Sequence, residues 1–363
     1  MGQHDFTRRT ILAGLASMLA LPTQAAPTDL QTIADDLRST TGTPGLTMCF
    51  GGPDGSGFVH SGTLRRGADL PIGPAHLWHL GSIAKSMTAT LIARLVATGD
   101  LAFSDRMVDR LPDLAAIDPG YGEVTIRDLL DHRGGVPANA DLAIARDLVG
   151  TLQTRPNIRA DRLLYADNVL SQPPDPTVTY SNAGYVLLGM ICETARNAPW
   201  ESLIQSELFQ PLGIQSAGFG SPGLTDPDSQ PWGHKPNFLG RLKPVPPGPK
   251  ADNVPALGPA GRVHMNAADL IRYLGAHAER SPALLPTELW DMLHIPVEDR
   301  DYACGWGVSG DIRVHNGSNT FWYAVAAFDM SSRRTAAILT NSGALKRLYQ
   351  PSQMALLDLL QSR

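Results

Sequence analysis

The chain has 363 residues, 43% of them hydrophobic and 18% charged, with a formal net charge of −5 at pH 7. That profile belongs to a folded protein long enough for two lobes around one large core, or for two domains. The mild acidity excludes a broad nucleic-acid surface, which needs clustered Lys and Arg. After the N-terminus, no stretch has the length and apolarity of a membrane span.

At the N-terminus, Arg8 and Arg9 precede an apolar run from Ile11 to Leu21 and then a series of small residues. The run is too short to cross a bilayer, so residues 1–26 read as a signal peptide cleaved after Ala25 or Ala26. Thr-Arg-Arg-Thr-Ile-Leu follows the twin-arginine export pattern. The mature chain is therefore expected in the periplasm or outside the cell, an uncleaved anchor being the alternative.

Next, Leu30, Ile33, Ala34 and Leu37 share one face, which predicts a helix ending near Gly42. LTMCFGG and GFVHSGTLR predict two strands of a hairpin across the turn-rich GGPDGSG. A helix opening at Ser82 carries a stripe of Ile83, Met87, Leu91 and Leu95, widened by Ile92 and Val96, with Gly99 as its C-cap. VTIRDLLDHRGG, the segment Asp141–Leu152 and SNAGYVLLGMICETARNA then read as helices between Pro- and Gly-rich loops. Residues 221–250 are proline-dense and without periodicity, which predicts an extended surface loop. AADLIRYLGAHAE reads as a helix. YACGWGV, DIRVHNG, WYAVAAFDM and RTAAILTNSG read as consecutive antiparallel strands, and LYQPSQMALLDLLQ as a closing helix. Strands at both ends with helices between them predict an α/β protein of the α+β type. Residues 27–80 and 256–363 supply one sheet lobe, and about 81–255 an inserted helical lobe.

Several standard sites are missing. There is no Gly-x-Ser-x-Gly elbow and no Gly-x-x-x-x-Gly-Lys loop. GWGVSG, residues 305–310, satisfies Gly-x-Gly-x-x-Gly, but a strand follows it where a nucleotide site needs a helix. His76 and His79 lie three apart with nothing to complete a metal set, and read as structural or surface residues. Cys49, Cys192 and Cys304 form no disulfide framework and no metal spacing, although one disulfide is left open. Cys49 and Cys192 read as core fillers. No cofactor is implied.

Three short motifs remain. Ser82 and Lys85, at i and i+3, project from one helix face and can meet. Serine needs a base to take its proton, and burial at a helix N-terminus lowers a lysine pKa towards that role. The backbone N–H of Ser82 is available to a developing oxyanion. Alone, the pair reads more simply as a serine cap followed by a solvated lysine. Tyr180 and Asn182 precede the next helix. A tyrosine near a lysine can relay a proton, and an asparagine can hold a substrate amide, whereas in isolation Asn182 reads as an N-cap. His315, Asn316, Gly317 and Ser318 end a strand. Gly317 permits close approach of a substrate, and the Ser318 N–H can complete an oxyanion hole with that of Ser82. Asn-Gly by itself is a turn signal.

Together and in this order, Ser-x-x-Lys, Tyr-x-Asn and His-x-Gly resemble the serine β-lactamase and penicillin-binding DD-peptidase superfamily. LWHLGSIAKSMTA, VTIRDLLDHRGGVP, TYSNAGYVLLGMICE, ELFQPLGI and GPAGRVHMNAADLIRYL extend the resemblance over nearly the whole mature chain. It is nearest to the branch of class C β-lactamases, D-amino-acid-specific peptidases and related esterases. The resemblance implies an antiparallel sheet flanked by helices from both termini, with a helical lobe inserted. It implies Ser82 as the acylated nucleophile, Lys85 as its base or relay, Tyr180 as general acid/base and Asn182 as ligand of a substrate amide. His315 and Gly317 would line the strand against which substrate lies.

One position departs from the class C pattern. His315 stands where those enzymes carry lysine, and an exposed histidine is only partly charged at neutral pH. This histidine resembles DD-carboxypeptidases and family esterases. The expected activity is that of a serine hydrolase on a D-amino-acid peptide, with β-lactamase, carboxylesterase and a non-catalytic penicillin-binding module as the other readings. Its partner is then a small-molecule or peptide substrate. Selectivity is expected from loops near 140–175 and 221–252, and from Trp306, Trp322 and Tyr323.

Overall fold

The structure, a computed structural model, describes residues 30–150, 157–297 and 300–361. The signal segment predicted over 1–26 and the end of the predicted Asp141–Leu152 helix lie outside them.

The N-terminal hairpin forms as predicted, β1 (Gly45–Gly52) pairing antiparallel with β2 (Gly55–Gly62) across a turn at Gly55, whose φ is +116°. A three-stranded patch follows, in which β3 (Trp78–His79) and β4 (Gly218–Phe219) flank β7 (Val263–Met265). A separate ribbon pairs β5 (Gly233–Pro236) with β6 (Leu242–Val245). The C-terminal strands are β8 (Tyr302–Ala303), β9 (Trp306–Ser309), β10 (Ile312–Ser318), β11 (Tyr323–Asp329) and β12 (Thr335–Thr340). They join the N-terminal hairpin in one antiparallel sheet of order β2-β1-β12-β11-β10-β9-β8.

Both faces of this sheet are covered, which explains why its central strands read as continuous apolar runs. Leu46, Met48, Val325 and Ile338 point to one side, where they pack with Ala34 and Leu37 of the Leu30–Thr41 helix and Leu348 and Leu356 of the Leu345–Gln361 helix. Cys49, Ala326, Phe328 and Leu339 point to the other, towards the larger core. The helix Ala84–Ala97 runs through that core. It is buried from Ala84 to Ala93 and again at Leu95, so the four-residue stripe understates its burial. It packs against the helices Asn182–Arg196 and Gly258–Gly261.

Two expectations are corrected. Residues 221–250 are not one extended loop: they carry the β5–β6 ribbon and two short 3₁₀ turns. Pro236 and Pro244 hid it, yet proline is tolerated in a two-stranded ribbon, where neither strand is flanked by sheet on both sides. Second, Trp306, Trp322 and Tyr323 are buried core residues and line no substrate cleft. They stand on sheet strands or the adjoining turn, where the covered faces absorb large apolar side chains. His79 is sealed in the interior, the structural of the two roles expected for it. Residues 305–310 form strand and turn, not a phosphate loop. All three cysteines are free and buried. Among the described residues, no helix is long and apolar enough to cross a membrane.

Candidate active site

The turn bearing Ser82 is built from the residues before it. β3 is held by β7, and beyond it Leu80 N–H donates to the Val263 carbonyl at 2.9 Å. Gly81 N–H then donates to His79 Nδ1 at 3.1 Å, and Gly81 takes φ +52°, a left-handed conformation that favours glycine. A 3₁₀ turn from Gly81 to Ile83 runs directly into the Ala84–Ala97 helix. Ser82 is thereby half-buried at the helix entrance, with Lys85 one turn further in.

Lys85 has no exposed surface. Its Nζ contacts three oxygens: Ser82 Oγ at 3.1 Å, Asn182 Oδ1 at 2.7 Å and the Ala260 carbonyl at 2.8 Å. Burial pushes its pKa well below the ordinary 10.5 of lysine. Two of the partners can only accept. A neutral amine has two hydrogens and one lone pair, so donation to Asn182 and Ala260 leaves the lone pair facing the Ser82 hydroxyl.

Tyr180 closes the site from the opposite side. Its hydroxyl is hydrogen-bonded to Ser82, its ring centre lies 4.8 Å from Lys85 Nζ, and burial raises its pKa, so the phenol keeps its proton. The neighbouring cap is Ser181, not Asn182. Ser181 Oγ accepts from Gly184 N–H at 2.8 Å and donates to the Pro137 carbonyl at 2.6 Å, which makes Asn182 the first helical residue. Asn182 Nδ2 donates to Asn139 Oδ1 at 2.9 Å, so its amide already bridges Lys85 and Asn139. His132 steadies the loop. Its Nδ1 accepts from Ser181 N–H at 3.1 Å, its Nε2 lies 3.1 Å from the Tyr302 hydroxyl, and its ring packs on Tyr180 at 4.5 Å.

The third segment approaches Ser82 backbone to backbone. A methyl group at Gly317 would lie 1.8 Å from the Leu80 carbonyl and 2.9 Å from Ser82 N, and one at Gly81 would lie 2.2 Å from Ser318 N. Two glycines therefore allow the backbones at 81–82 and 317–318 to meet at one mouth. β9 pairs with β10 over Ile312–Val314, so among the described residues the edge of β10 beyond Val314 carries no partner strand on that side. Ser318 contributes backbone alone, since its hydroxyl donates to the Trp322 carbonyl at 2.6 Å.

His315 departs from expectation. It is 3% exposed, with Nδ1 at 2.7 Å from the Asn316 carbonyl. Burial, with the neighbouring Lys85, lowers its pKa to about 3. The partial charge expected of an exposed histidine is absent, and His315 is neutral throughout the physiological range. All seven predicted residues nevertheless converge on one place.

Other residues escaped the sequence reading. His79 Nε2 lies 2.8 Å from Asp252 Oδ1, and Asp252 also accepts from Asn319 Nδ2 at 2.9 Å and pairs with Arg262 at 3.3 Å. This buried group ties the segment before Ser82 to the residue after Ser318. His132 lies within the recognised VTIRDLLDHRGGVP segment and was findable there. Ala260 likewise lies within the recognised GPAGRVHMNAADLIRYL segment, whereas Asn139 and Asp252 carry no local signal.

A sheet with terminal helices on one face and a helical lobe on the other is the β-lactamase/transpeptidase-like fold. It superposes on an octameric penicillin-binding protein homologue from Pyrococcus abyssi with a TM-score of 0.74, at 24% identity over 93% of this chain and 78% of that one. It also superposes on the D-amino acid amidase of Ochrobactrum anthropi SV3 with a TM-score of 0.72, at 18% identity over 91% and 98% of the two chains. The family model "Beta-lactamase" matches residues 30–359, and the chain belongs to that family. Members of this superfamily are serine hydrolases. Among curated relatives, penicillin-binding protein 4 of Amycolatopsis lactamdurans is 30% identical over 251 residues, 68% of this chain and 62% of its own length. A β-lactamase from Providencia stuartii is 26% identical over 64% of this chain and 54% of its own. The aligned regions thus span less than two thirds of these relatives.

Proposed function

We propose that this protein is an exported serine hydrolase that forms an acyl-enzyme on Ser82 and cleaves an amide or ester of D-amino-acid type. The observation that carries this reading is the Lys85 amine, buried, facing Ser82 Oγ at 3.1 Å and held by two obligate acceptors. Lys85 takes the Ser82 proton as Oγ bonds to the substrate carbonyl carbon. The oxyanion that develops is met by the N–H groups of Ser82 and Ser318. When the carbon–nitrogen or carbon–oxygen bond breaks, the Tyr180 phenol gives its proton to the leaving group and is re-protonated from Lys85. Water then repeats the sequence on the ester to Ser82. Asn182 is positioned to share its amide with a substrate amide, and residues 315–317 provide the strand alongside. The D-amino-acid preference draws on relatives named for penicillin and D-amino acid amides. Export rests on the twin-arginine pattern of residues 7–12.

Ser82→Ala tests the nucleophile. Hydrolysis of p-nitrophenyl esters and labelling by a fluorescent penicillin should both fall by several orders of magnitude. Wild-type levels of both would refute the assignment.

The neutral His315 supports a narrower second reading, in which the substrate carries no carboxylate beside the scissile bond. An esterase or amidase acting on uncharged leaving groups fits that better than a carboxypeptidase. Matched assays on D-Ala-D-Ala, D-Ala-D-alaninamide, nitrocefin and p-nitrophenyl acetate separate the readings, faster turnover of the uncharged members favouring the second.

A further inference from the structure

The β5–β6 ribbon ends in a tip that no part of the described chain covers. Phe238 is 94% exposed and Leu239 64%, a pair of large apolar side chains side by side at the apex. The tip is built to hold them there. Asn237 Oδ1 accepts from Leu239 N–H at 3.0 Å and Arg241 N–H at 2.9 Å, while Asn237 N–H and Gly240 N–H close the turn. Gly240 takes φ +73°, and its carbonyl is gripped by Arg347 of the C-terminal helix at 2.8 Å.

The charge along this ribbon is one-sided. The chain has five lysines: Lys85 in the site, then Lys235, Lys243 and Lys250 on and just after the ribbon, and Lys346 beside Arg347. No acidic residue occurs between Gln230 and Ala251. Lys235 and Lys243 are direct cross-strand partners, so two like charges face each other on one side of the ribbon. That arrangement costs stability unless an anion lies between or above them. Among the described residues, none of these lysines and neither Arg241 nor Arg347 forms an ion pair. In a chain of net charge −5, such a concentration of unpaired cations is local and specific.

We propose that the β5–β6 tip docks the protein on an anionic phospholipid bilayer, with Phe238 and Leu239 entering the interfacial layer and the flanking cations meeting the headgroups. An exposed aromatic and a leucine at the apex of a ribbon that carries Lys235, Lys243 and Arg241, with Arg347 at its turn, match the chemistry of an interfacial anchor, where apolar insertion and headgroup attraction act together. A soluble anionic polymer would engage the cations but leave Phe238 and Leu239 without a role. A two-fold contact between copies of the chain would bring the same cations against each other. The proposal is independent of the reaction at Ser82.

Sedimentation of the full chain with phosphatidylcholine vesicles, and with vesicles also containing phosphatidylglycerol, tests it. The wild type should partition preferentially to the anionic vesicles, less so at high salt. Phe238→Ser with Leu239→Ser, and separately Lys235→Gln with Lys243→Gln, should each lower that partitioning by about tenfold. Both variants should keep the wild-type far-UV circular dichroism and urea-unfolding midpoint, which establishes their fold. Variants that bind vesicles as the wild type does would overturn the proposal, as would a wild type with no preference for the anionic ones. Equal affinity for dextran sulfate that survives the serine variant would reassign the surface to an anionic polymer. A change of oligomeric state in the serine variant, without vesicle binding by the wild type, would reassign it to a self-contact.

Discussion

His79 and Asp252 meet at 2.8 Å with their side chains 0% and 1% exposed, and through them the two backbone segments around Ser82 are held in register. Since His79 Nδ1 accepts from Gly81 N–H, its proton lies on Nε2, towards the carboxylate. Asp252 reaches from there to Asn319, one residue beyond Ser318. A single carboxylate thus braces both N–H groups assigned to the oxyanion.

Asp252→Ala strands a buried histidine, an arginine and an asparagine. The expected cost is about 3 kcal/mol in urea unfolding, with acylation slowed about a hundredfold as the two segments drift. Burial pushes the Asp252 pKa up, but His79, Arg262 and Asn319 outweigh it and hold the carboxyl below the ordinary aspartate range. A lowered folded pKa stabilises the protein fully above the unfolded value of about 3.9, and the contribution is lost as pH falls through the folded one. The stability gap between wild type and Asp252→Ala should therefore close as pH falls below about 4.

Lys85 must be neutral to take the serine proton. With its pKa pushed well below 10.5 by burial, kcat/KM for an ester should rise with pH and level off well before that value. Lys85→Arg substitutes a permanently charged guanidinium and should lower kcat/KM by about a thousandfold. An arginine variant with wild-type activity would remove Lys85 from the mechanism.

Gly317→Ala probes the close approach of β10. The added methyl meets the Leu80 carbonyl at 1.8 Å, so one backbone must give way. Loss of stability of about 2 kcal/mol is expected, with penicillin labelling of the folded fraction reduced far more than that loss explains.

Arg162 is a structural counterpart. Its fully buried guanidinium pairs with Glu193 and, at 2.6 Å, with Glu201, and it donates to the Ala256 carbonyl. Arg162→Met leaves Glu193 buried without its cation and should destabilise the protein by about 4 kcal/mol in urea unfolding. Arg162→Met with unchanged stability would contradict that account.

Much of this was legible in the chain. The N-terminal hairpin, the helix after Ser82 and the C-terminal strands follow from periodicities of 2 and 3.6, which local side-chain burial imposes. The β5–β6 ribbon was not, because its prolines mimic a loop and its pairing involves no alternating core face. Trp306, Trp322 and Tyr323 misled for the opposite reason: a large aromatic beside a site motif looks like a substrate wall until both faces of the sheet are seen to be covered.

Sequence by itself determined which residues are chemically equipped: Ser82 with Lys85, Tyr180 with Asn182, and Gly317 after His315. These motifs are short and local, and their order identified the family. Tertiary structure alone decided their protonation and their supports. His315 is neutral and Lys85 tends to be so because distant segments remove water from both, and desolvation is not written in any neighbouring residue. The same holds for Asp252, Asn139 and the Ala260 carbonyl. Each acts at the site only because folding brings it across more than forty residues of chain to a group it can satisfy, Asp252 to His79, Asn139 to Asn182 and Ala260 to Lys85.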